Sequence, residues 1–187
     1  MPRPPSALSN IVALAMKTLR EAVRSRSFIL YTCAFTALGL GISYISAQSA
    51  GTAGLAGFGR TTAGLLNLVL LVVPLMALTA GAGSVASERE RGMLPYLLAQ
   101  PIARWEFLVG TWLGLAGALI GCIALGLGAC AAIMAWKGEG TDATALLTLV
   151  GLSTALALAM LSVGILISVV ARKASVATGT AVFIWLL

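Results

Sequence analysis

Long runs of apolar residues divide this sequence into segments of membrane-spanning length. An α-helix needs about 20 apolar residues to cross the hydrocarbon core of a bilayer. Four runs reach this length, at residues 28–47, 61–85, 107–136 and 144–170. Strand-length segments of alternating polarity, which are typical of membrane β-barrels, do not occur. The pattern therefore predicts an all-α, polytopic helical membrane protein.

A fifth apolar run begins near residue 176 and reaches residue 187. A run of about 12 residues is too short to cross a bilayer as a helix. We therefore expect residues 176–187 to be the start of a fifth span that continues beyond the sequence.

The third run is longer than a bilayer requires. Its 30 residues would form a helix of roughly 45 Å, compared with a hydrocarbon core of about 30 Å. We expect this helix to tilt, to protrude from the membrane or to break, and Gly126 and Gly128 are the weakest point.

Residues 10–27, ahead of the first span, form an amphipathic segment. On a helix, the apolar side chains between Ile11 and Val23 fall in one arc, and Arg20 and Arg24 fall in the opposite arc. This pattern is typical of a helix that lies in the membrane interface. The alternative is a solvated helix packed on the rest of the protein, and we favour the interfacial helix.

Composition and charge support a membrane protein and indicate its orientation. Hydrophobic residues make up 59% of the chain and charged residues 10%, whereas soluble domains are about 45–50% apolar. With the N-terminus in the cytoplasm, ten of the 12 Lys and Arg residues lie on the cytoplasmic side. The positive-inside rule therefore places the N-terminus and the loop 86–106 in the cytoplasm of a bacterial or archaeal cell. The net charge of +6 is explained by topology, so we expect no nucleic acid partner.

Several kinds of catalytic and metal site are excluded or disfavoured. The chain contains no histidine, which excludes His-based triads and most zinc sites. Cys33, Cys122 and Cys130 lie in apolar runs without a C-x-x-C motif, which favours buried thiols. No charged residue lies deep in a span, which disfavours an ion-coupled transporter or an intramembrane protease. We expect no catalytic residue and no bound metal.

The stretch from Gly54 to Thr61 resembles a phosphate-binding loop only superficially. A P-loop follows a β-strand and uses a lysine, whereas this stretch follows a membrane helix and has Arg60 at that position. We interpret it as a Gly-rich connection, so any ATP that drives the protein is bound by another chain.

Two features within the spans have open interpretations. Asn67 and Pro74 interrupt the second span, where they either support helix packing and a kink or line a transport path. Gly110, Gly114 and Gly117 with Gly121 form two G-x-x-x-G pairs in the third span. Small residues at this spacing allow close helix packing, either within the chain or between two subunits.

The loop 86–106 is the most charged part of the chain and reads SERERGMLPYLLAQP from residue 87. Ser87 and Glu90 have the spacing of a capping box, which predicts that a helix begins there. Beyond Gly92, apolar side chains follow at helical spacing on one face, at Leu94, Leu97 and Leu98. The loop therefore predicts a short helix with an apolar face, which either docks in the groove of a partner or covers the membrane.

The residues from Glu88 to Arg104 resemble the signature of the ABC-2 type permeases, the membrane subunits of one class of ATP-binding-cassette exporters. The N-terminal segment LREAVRSRSF resembles the connecting helix of that family. Within the family, the second span followed by ERERG is similar to the permease of the nitrous-oxide reductase maturation transporter.

This resemblance implies an interfacial helix, six transmembrane helices and a homodimer of the permease in the inner membrane. It implies a separate ABC ATPase that binds ATP and Mg²⁺, no cofactor in this chain, and involvement of a periplasmic accessory protein. It also implies that Gly92 to Gln100 form a coupling helix in a cleft of the ATPase. The residues that it places at this contact are Glu88, Arg89, Arg91, Gly92, Leu94, Leu97, Leu98, Gln100, Pro101 and Arg104. Pro95 departs from the polar or acidic residue of many relatives. The alternative function is a membrane scaffold that anchors an assembly complex without transport.

Overall fold

The computed structural model describes residues 7–49, 54–92, 103–136 and 143–187, and all its regular structure is helical. The helices, in chain order, are α1 (Ala7–Arg24), α2 (Arg26–Ser49), α3 (Gly54–Glu90), α4 (Arg104–Trp136), α5 (Ala143–Val170) and α6 (Ala174–Leu186). Helices α2, α3, α4 and α5 each contain a segment long and apolar enough to cross a membrane, and α6 is a shorter apolar helix. The prediction of an all-α multi-pass membrane protein is confirmed.

Large apolar side chains cover the outside of these helices. Leu30, Leu125 and Leu152 are 66%, 69% and 70% exposed. Such a surface would be unfavourable in water, because apolar side chains gain free energy of stabilisation only when they are removed from water. It is the surface expected of helices that face lipid tails.

Helix α4 continues without a break through Gly126 and Gly128. A Cβ atom at Gly126 would lie 2.5 Å from the ring of Phe35, so this glycine makes room for the Phe35 side chain of α2. The expected weak point is therefore a packing site. We expected this helix to tilt, to protrude from the membrane or to break, and the expectation of a break is wrong.

The excess length of α4 lies beside α1, which runs in the same direction as α4. Asn10 reaches Glu106 at the start of α4, and Leu19 lies next to Gly117. The opposite face of α1 is exposed and charged, and charges are costly in hydrocarbon. The part of α4 that packs on α1 is thus its first half, residues 104–117, which is about 21 Å long.

Gly110 and Gly114 allow α1 to pack closely on α4. A Cβ atom at Gly110 would lie 2.7 Å from the Cβ of Leu14, and one at Gly114 would lie 2.6 Å from the carbonyl oxygen of Ala15. These two glycines therefore serve packing within the chain. A Cβ atom at Gly121 would meet no atom of the described residues within 4 Å, so Gly121 contributes nothing to this contact.

Helix α1 is both packed and amphipathic. Leu14 is buried against α4, whereas a neighbouring stripe of apolar side chains stays exposed. The stripe consists of Leu8, Val12, Met16 and Val23. Packing on the protein thus accounts for one face of α1, and the exposed stripe is what an interfacial helix presents to lipid.

The close contact between α1 and α4 gives a first prediction. We expect Gly114→Val to push α1 away from α4, because the atom that a new side chain meets belongs to the α1 backbone. Overpacking of this kind costs about 1–3 kcal/mol, so cleavage by trypsin after Arg20 or Arg24 should become at least about fivefold faster. Gly121→Val in the same helix is the matched control, and an equal acceleration in both variants would contradict the close packing.

Helices α3 and α5 cross with their backbones in contact. A Cβ atom at Gly164 would lie 2.7 Å from the carbonyl oxygen of Leu78, and one at Gly81 would lie 2.8 Å from that of Leu161. Next to this crossing, the Ser168 hydroxyl oxygen accepts hydrogen bonds from the N–H groups of Val85 and Ala86, at 2.9–3.0 Å. The last turns of α3 are thereby fixed to the last turns of α5.

The buried side chains form two clusters. The larger joins α2, α3, α4 and α5 and includes Phe35, Val73, Leu119 and Leu161. The smaller joins α3 to α6 through small residues, with Ala82 and Ala86 on α3 and Ala177 and Ala181 on α6. Small side chains allow α6 to lie close to α3.

Candidate functional site

The candidate site is the end of the helix bundle where α3 ends and α4 begins, which we call the charged end. Lys17, Glu88, Arg89 and Glu90 lie there and make contacts between helices. Asn10 and Lys17 of α1 reach Glu106 at the start of α4 and Glu88 at the end of α3, respectively. Residues 93–102 connect these two helix ends and lie outside the described residues, so Leu94, Leu97, Leu98, Gln100 and Pro101 remain predictions.

The capping-box prediction at Ser87 is wrong. Helix α3 continues through Ser87 to Glu90, and the Ser87 hydroxyl donates to the carbonyl oxygen of Ser84 at 3.1 Å. The hydroxyl is thus satisfied within its own helix, and neighbouring Ala86 is buried against α6. The sequence spacing was correct for a cap, but packing of the small-residue face extends the helix past it.

Gly92 ends the turn that follows α3. Its φ angle is 68°, in the left-handed region that favours glycine. The N–H groups of Arg91 and Gly92 donate to the carbonyl oxygens of Ser87 and Arg89, at 3.1 Å each. This is the position where glycine commonly terminates helices, and it directs the chain into residues 93–102.

Glu88 links α3 to α1. Its Oε1 atom lies 3.2 Å from the Nζ of Lys17, which also lies 3.6 Å from Glu21. Both partners of the Lys17–Glu88 pair are partly exposed, so the pair contributes at most about 1 kcal/mol. The other carboxylate oxygen, Oε2, is buried without a hydrogen-bond partner among the described residues.

Arg89 and Glu90 contact the junction between α5 and α6. The Arg89 guanidinium donates to the carbonyl oxygens of Ala171 and Val169, at 2.8 and 3.2 Å. The Glu90 carboxylate accepts the N–H of Ala174 at 3.2 Å. Neither residue has a pattern in the sequence that would reveal these partners, because they lie 80 or more positions away.

Arg91 and Arg104 complete the charged set. The Arg91 side chain is exposed, and the part of the chain that the structure describes offers it no ion pair or hydrogen bond. Arg104 begins α4. These positions flank the two ends of residues 93–102.

A cavity of about 820 Å³ lies between α1, α3, α4, the start of α2 and α6. Charged side chains from α1 and α3 line it together with hydroxyl groups and aromatic rings. Its members include Glu21, Arg24, Tyr31, Thr79, Glu88 and Arg91. No sequence pattern predicts this cavity, because its walls come from five separate segments.

The hydroxyl groups of the cavity wall mostly present oxygen atoms as acceptors. Thr79, Thr111 and Thr178 each donate their proton to a carbonyl oxygen one turn earlier in the same helix. Ser84 does the same with Gly81. Their lone pairs remain available, so the wall offers acceptor oxygens to a ligand that carries N–H or O–H donors.

Asn67 and Pro74 lie elsewhere on α3. The Asn67 side chain is exposed and Pro74 is buried within the continuous helix. Neither belongs to the cavity lining, and their role in a transport path remains a prediction.

Within the described ranges, acidic and cysteine side chains form no group of three or more that could hold a metal ion.

Comparison with known proteins gives a consistent assignment. A family model described as "ABC-2 family transporter protein" matches residues 12–187. The chain is 28% identical over 184 residues to the probable ABC transporter permease protein NosY of Stutzerimonas stutzeri, and the match covers 96% of this chain and 67% of that protein. It is 31% identical over 177 residues to the protein of the same name in Pseudomonas aeruginosa, which covers 92% of this chain and 64% of that protein. The chain thus spans about two thirds of the length of these relatives.

Proposed function

The chain belongs to the ABC-2 family of transporter proteins, and from this premise we propose that it is the membrane subunit through which a separate ABC ATPase drives transport. Its apolar helices support a multi-pass permease, and members of this family associate with an ABC ATPase. ATP and Mg²⁺ would be bound by that ATPase, and this chain would perform no covalent chemistry.

The observation that supports this proposal best is the geometry of the charged end. The end of α3 and the start of α4 lie on the same side of the bundle, because α1 contacts both of them. The chain therefore leaves the bundle at Gly92 and returns at Arg104 on one side, and we propose that a coupling helix docks there. We propose that Leu94, Leu97 and Leu98 are its apolar anchors, and that Arg91 and Arg104 make polar contacts around them.

The orientation follows from charge. We propose that the charged end faces the cytoplasm, because basic residues are strongly enriched at that side of bacterial inner-membrane proteins. Ten of the 12 Lys and Arg residues lie on that side in this arrangement. The ATPase would then meet residues 93–102 in the compartment that contains ATP.

The cycle that we propose has two states. ATP binding closes a pair of ATPase subunits, and the coupling helices of a permease homodimer move with them. The helices then expose the transport route to one side or the other, because nucleotide binding favours one of the two arrangements. The resemblance to the permease of nitrous-oxide reductase maturation further leads us to propose a role in metalloenzyme maturation, together with a periplasmic accessory protein.

The proposed function is tested by purification of the full chain in lipid nanodiscs. We expect an ABC ATPase to co-purify with it and to hydrolyse ATP in the complex. We also expect vanadate, which traps the ATPase after hydrolysis, to change the conformation of the permease. A chain that anchors other proteins but binds no ABC ATPase would contradict the proposal and favour a membrane scaffold.

A further inference from the structure

The junction between α5 and α6 is held from both sides by neighbouring residues of α3. Helix α5 ends at Val170, and the last carbonyl oxygens of a helix have no partners within it. The Arg89 guanidinium donates to two carbonyl oxygens there, those of Val169 and Ala171. A cation at this position also interacts favourably with the helix dipole, so Arg89 caps the end of α5.

Glu90 caps the start of α6 in the same way. The residue that precedes α6 is Lys173, and its side chain makes no capping hydrogen bond. The Glu90 carboxylate accepts the N–H of Ala174 instead. A negative charge is favoured at the N-terminus of a helix, so adjacent residues of opposite charge on α3 match the opposite dipole ends of α5 and α6.

Helix α6 is also attached to α3 along its length and at its far end. Ala177 and Ala181 are fully buried against α3. The indole N–H of Trp185 donates to the carbonyl oxygen of Leu71 at 3.0 Å, close to Pro74. Together with the α3–α5 crossing at Gly81 and Gly164, these contacts make α3, α5 and α6 one packed unit.

Helix α4, at the other end of residues 93–102, packs on α1, α2 and α5 and makes few contacts with α3. The cavity separates the α3 side from the α4 side at the charged end. Between α1 and α3, the described residues provide one ion pair there, Lys17–Glu88, and it is partly exposed. The predicted coupling segment therefore joins two helices, α3 and α4, that make few contacts with each other.

We propose that Arg89 and Glu90 are positioning residues that transmit movement of residues 93–102 from the end of α3 into the α5–α6 junction, rather than surface contacts for an ATPase. This inference rests on the proposed function. Both residues lie within three positions of Gly92, where the predicted coupling segment begins, and their charged groups are already bonded within the chain. Arg91 has the same charge as Arg89 but is exposed, so it provides a matched contrast.

The test uses the full chain with its co-purified ATPase in nanodiscs. Spin labels are attached to cysteines at Ser175 of α6 and Leu108 of α4, which are both exposed, after exposed Cys33 is replaced by Ser. The distance between the labels is measured without nucleotide and after trapping with ATP and vanadate. The affinity for the ATPase is measured for the same proteins.

We expect Arg89→Ala to keep the ATPase affinity within about twofold and to keep the resting distance, while the nucleotide-dependent change in distance falls to less than about half. Arg89→Lys should give an intermediate change, because an ammonium group replaces the two-pronged guanidinium contact. Arg91→Ala should instead weaken ATPase binding and keep the full change at saturating ATPase.

The inference is overturned if Arg89→Ala keeps the full change in distance, or if it weakens ATPase binding as much as Arg91→Ala does. An altered resting distance would overturn it as well, because this would indicate a purely structural role. A parent protein that binds no ATPase, or that shows no nucleotide-dependent change, would contradict the proposed function itself and this inference with it.

Discussion

Replacement of Leu97 and Leu98 by Asp is expected to abolish binding of the ABC ATPase. Full burial of a leucine side chain in an apolar groove contributes about 2 kcal/mol. A carboxylate in the same groove adds the free energy of burying an unpaired charge. The loss of about 4 kcal/mol or more corresponds to an affinity at least about a thousandfold lower, so the ATPase should no longer co-purify with the full chain.

Pro95→Asp provides a matched control for this prediction. It adds a negative charge to the same segment, at a position where the family resemblance implies that an acidic or polar residue is accepted. We expect the ATPase to co-purify with this variant as with the parent protein. If the double Asp variant retained ATPase and coupled ATP hydrolysis, the assignment of these leucines as anchors would be wrong.

The second large effect is expected at the crossing of α3 and α5. In Gly164→Ala, the new methyl group would lie 2.7 Å from the carbonyl oxygen of Leu78, 3.1 Å from the Cα of Gly81 and 3.2 Å from the backbone nitrogen of Ala82. All these atoms belong to a helix backbone, so no side chain can move aside. The helices must separate, and this weakens the hydrogen bonds that the Ser168 hydroxyl oxygen accepts from two N–H groups of α3.

Overpacking of a core costs about 1–3 kcal/mol, and a chain of this size loses roughly 2–4 °C in melting temperature per kcal/mol. We therefore expect Gly164→Ala to melt roughly 5 °C below the parent protein in detergent. Gly151→Ala in the same helix is the control, since its new methyl group meets none of the described residues beyond its own helix turn within 4 Å. Alanine favours a helix over glycine by about 1 kcal/mol, so this control should melt at or above the parent temperature. Equal melting of the two variants would contradict the close crossing.

The fold class could be predicted from the sequence because bilayer thickness directly limits the length of apolar helices. The ends of the helices could not be predicted as well. Helix α3 extends from Gly54 to Glu90, whereas the apolar run covers residues 61–85. Its C-terminal extension involves small residues such as Ala86, which pack on α6. The composition of the sequence does not indicate that these small residues pack between two helices.

The partners of the charged residues were also beyond sequence analysis. The pattern from Glu88 to Arg91 indicates a functional end of the bundle, which stays a prediction, and the resemblance implies contacts with another protein. The structure shows that the charged groups of Arg89 and Glu90 bond to the α5–α6 junction, more than 75 positions later in the chain. Such contacts depend on the crossing of α3 and α5, which is set by the pairing of Gly81 with Gly164.

The glycines of α4 illustrate the same limit. Their spacing predicts close packing, either within the chain or between two subunits. Gly110 and Gly114 face α1, and Gly121 faces no described residue. The spacing therefore identified the type of contact, and only the fold identified the partner.

The central claim is that residues 93–102 face the cytoplasm, where they meet an ABC ATPase. Its most direct test is a single cysteine at Gln100 in a chain without Cys33, Cys122 and Cys130, treated in intact cells with a membrane-impermeant maleimide. We predict that the cysteine is protected in intact cells and is labelled once the inner membrane is permeabilised. Labelling in intact cells would place this segment on the periplasmic side and contradict the account.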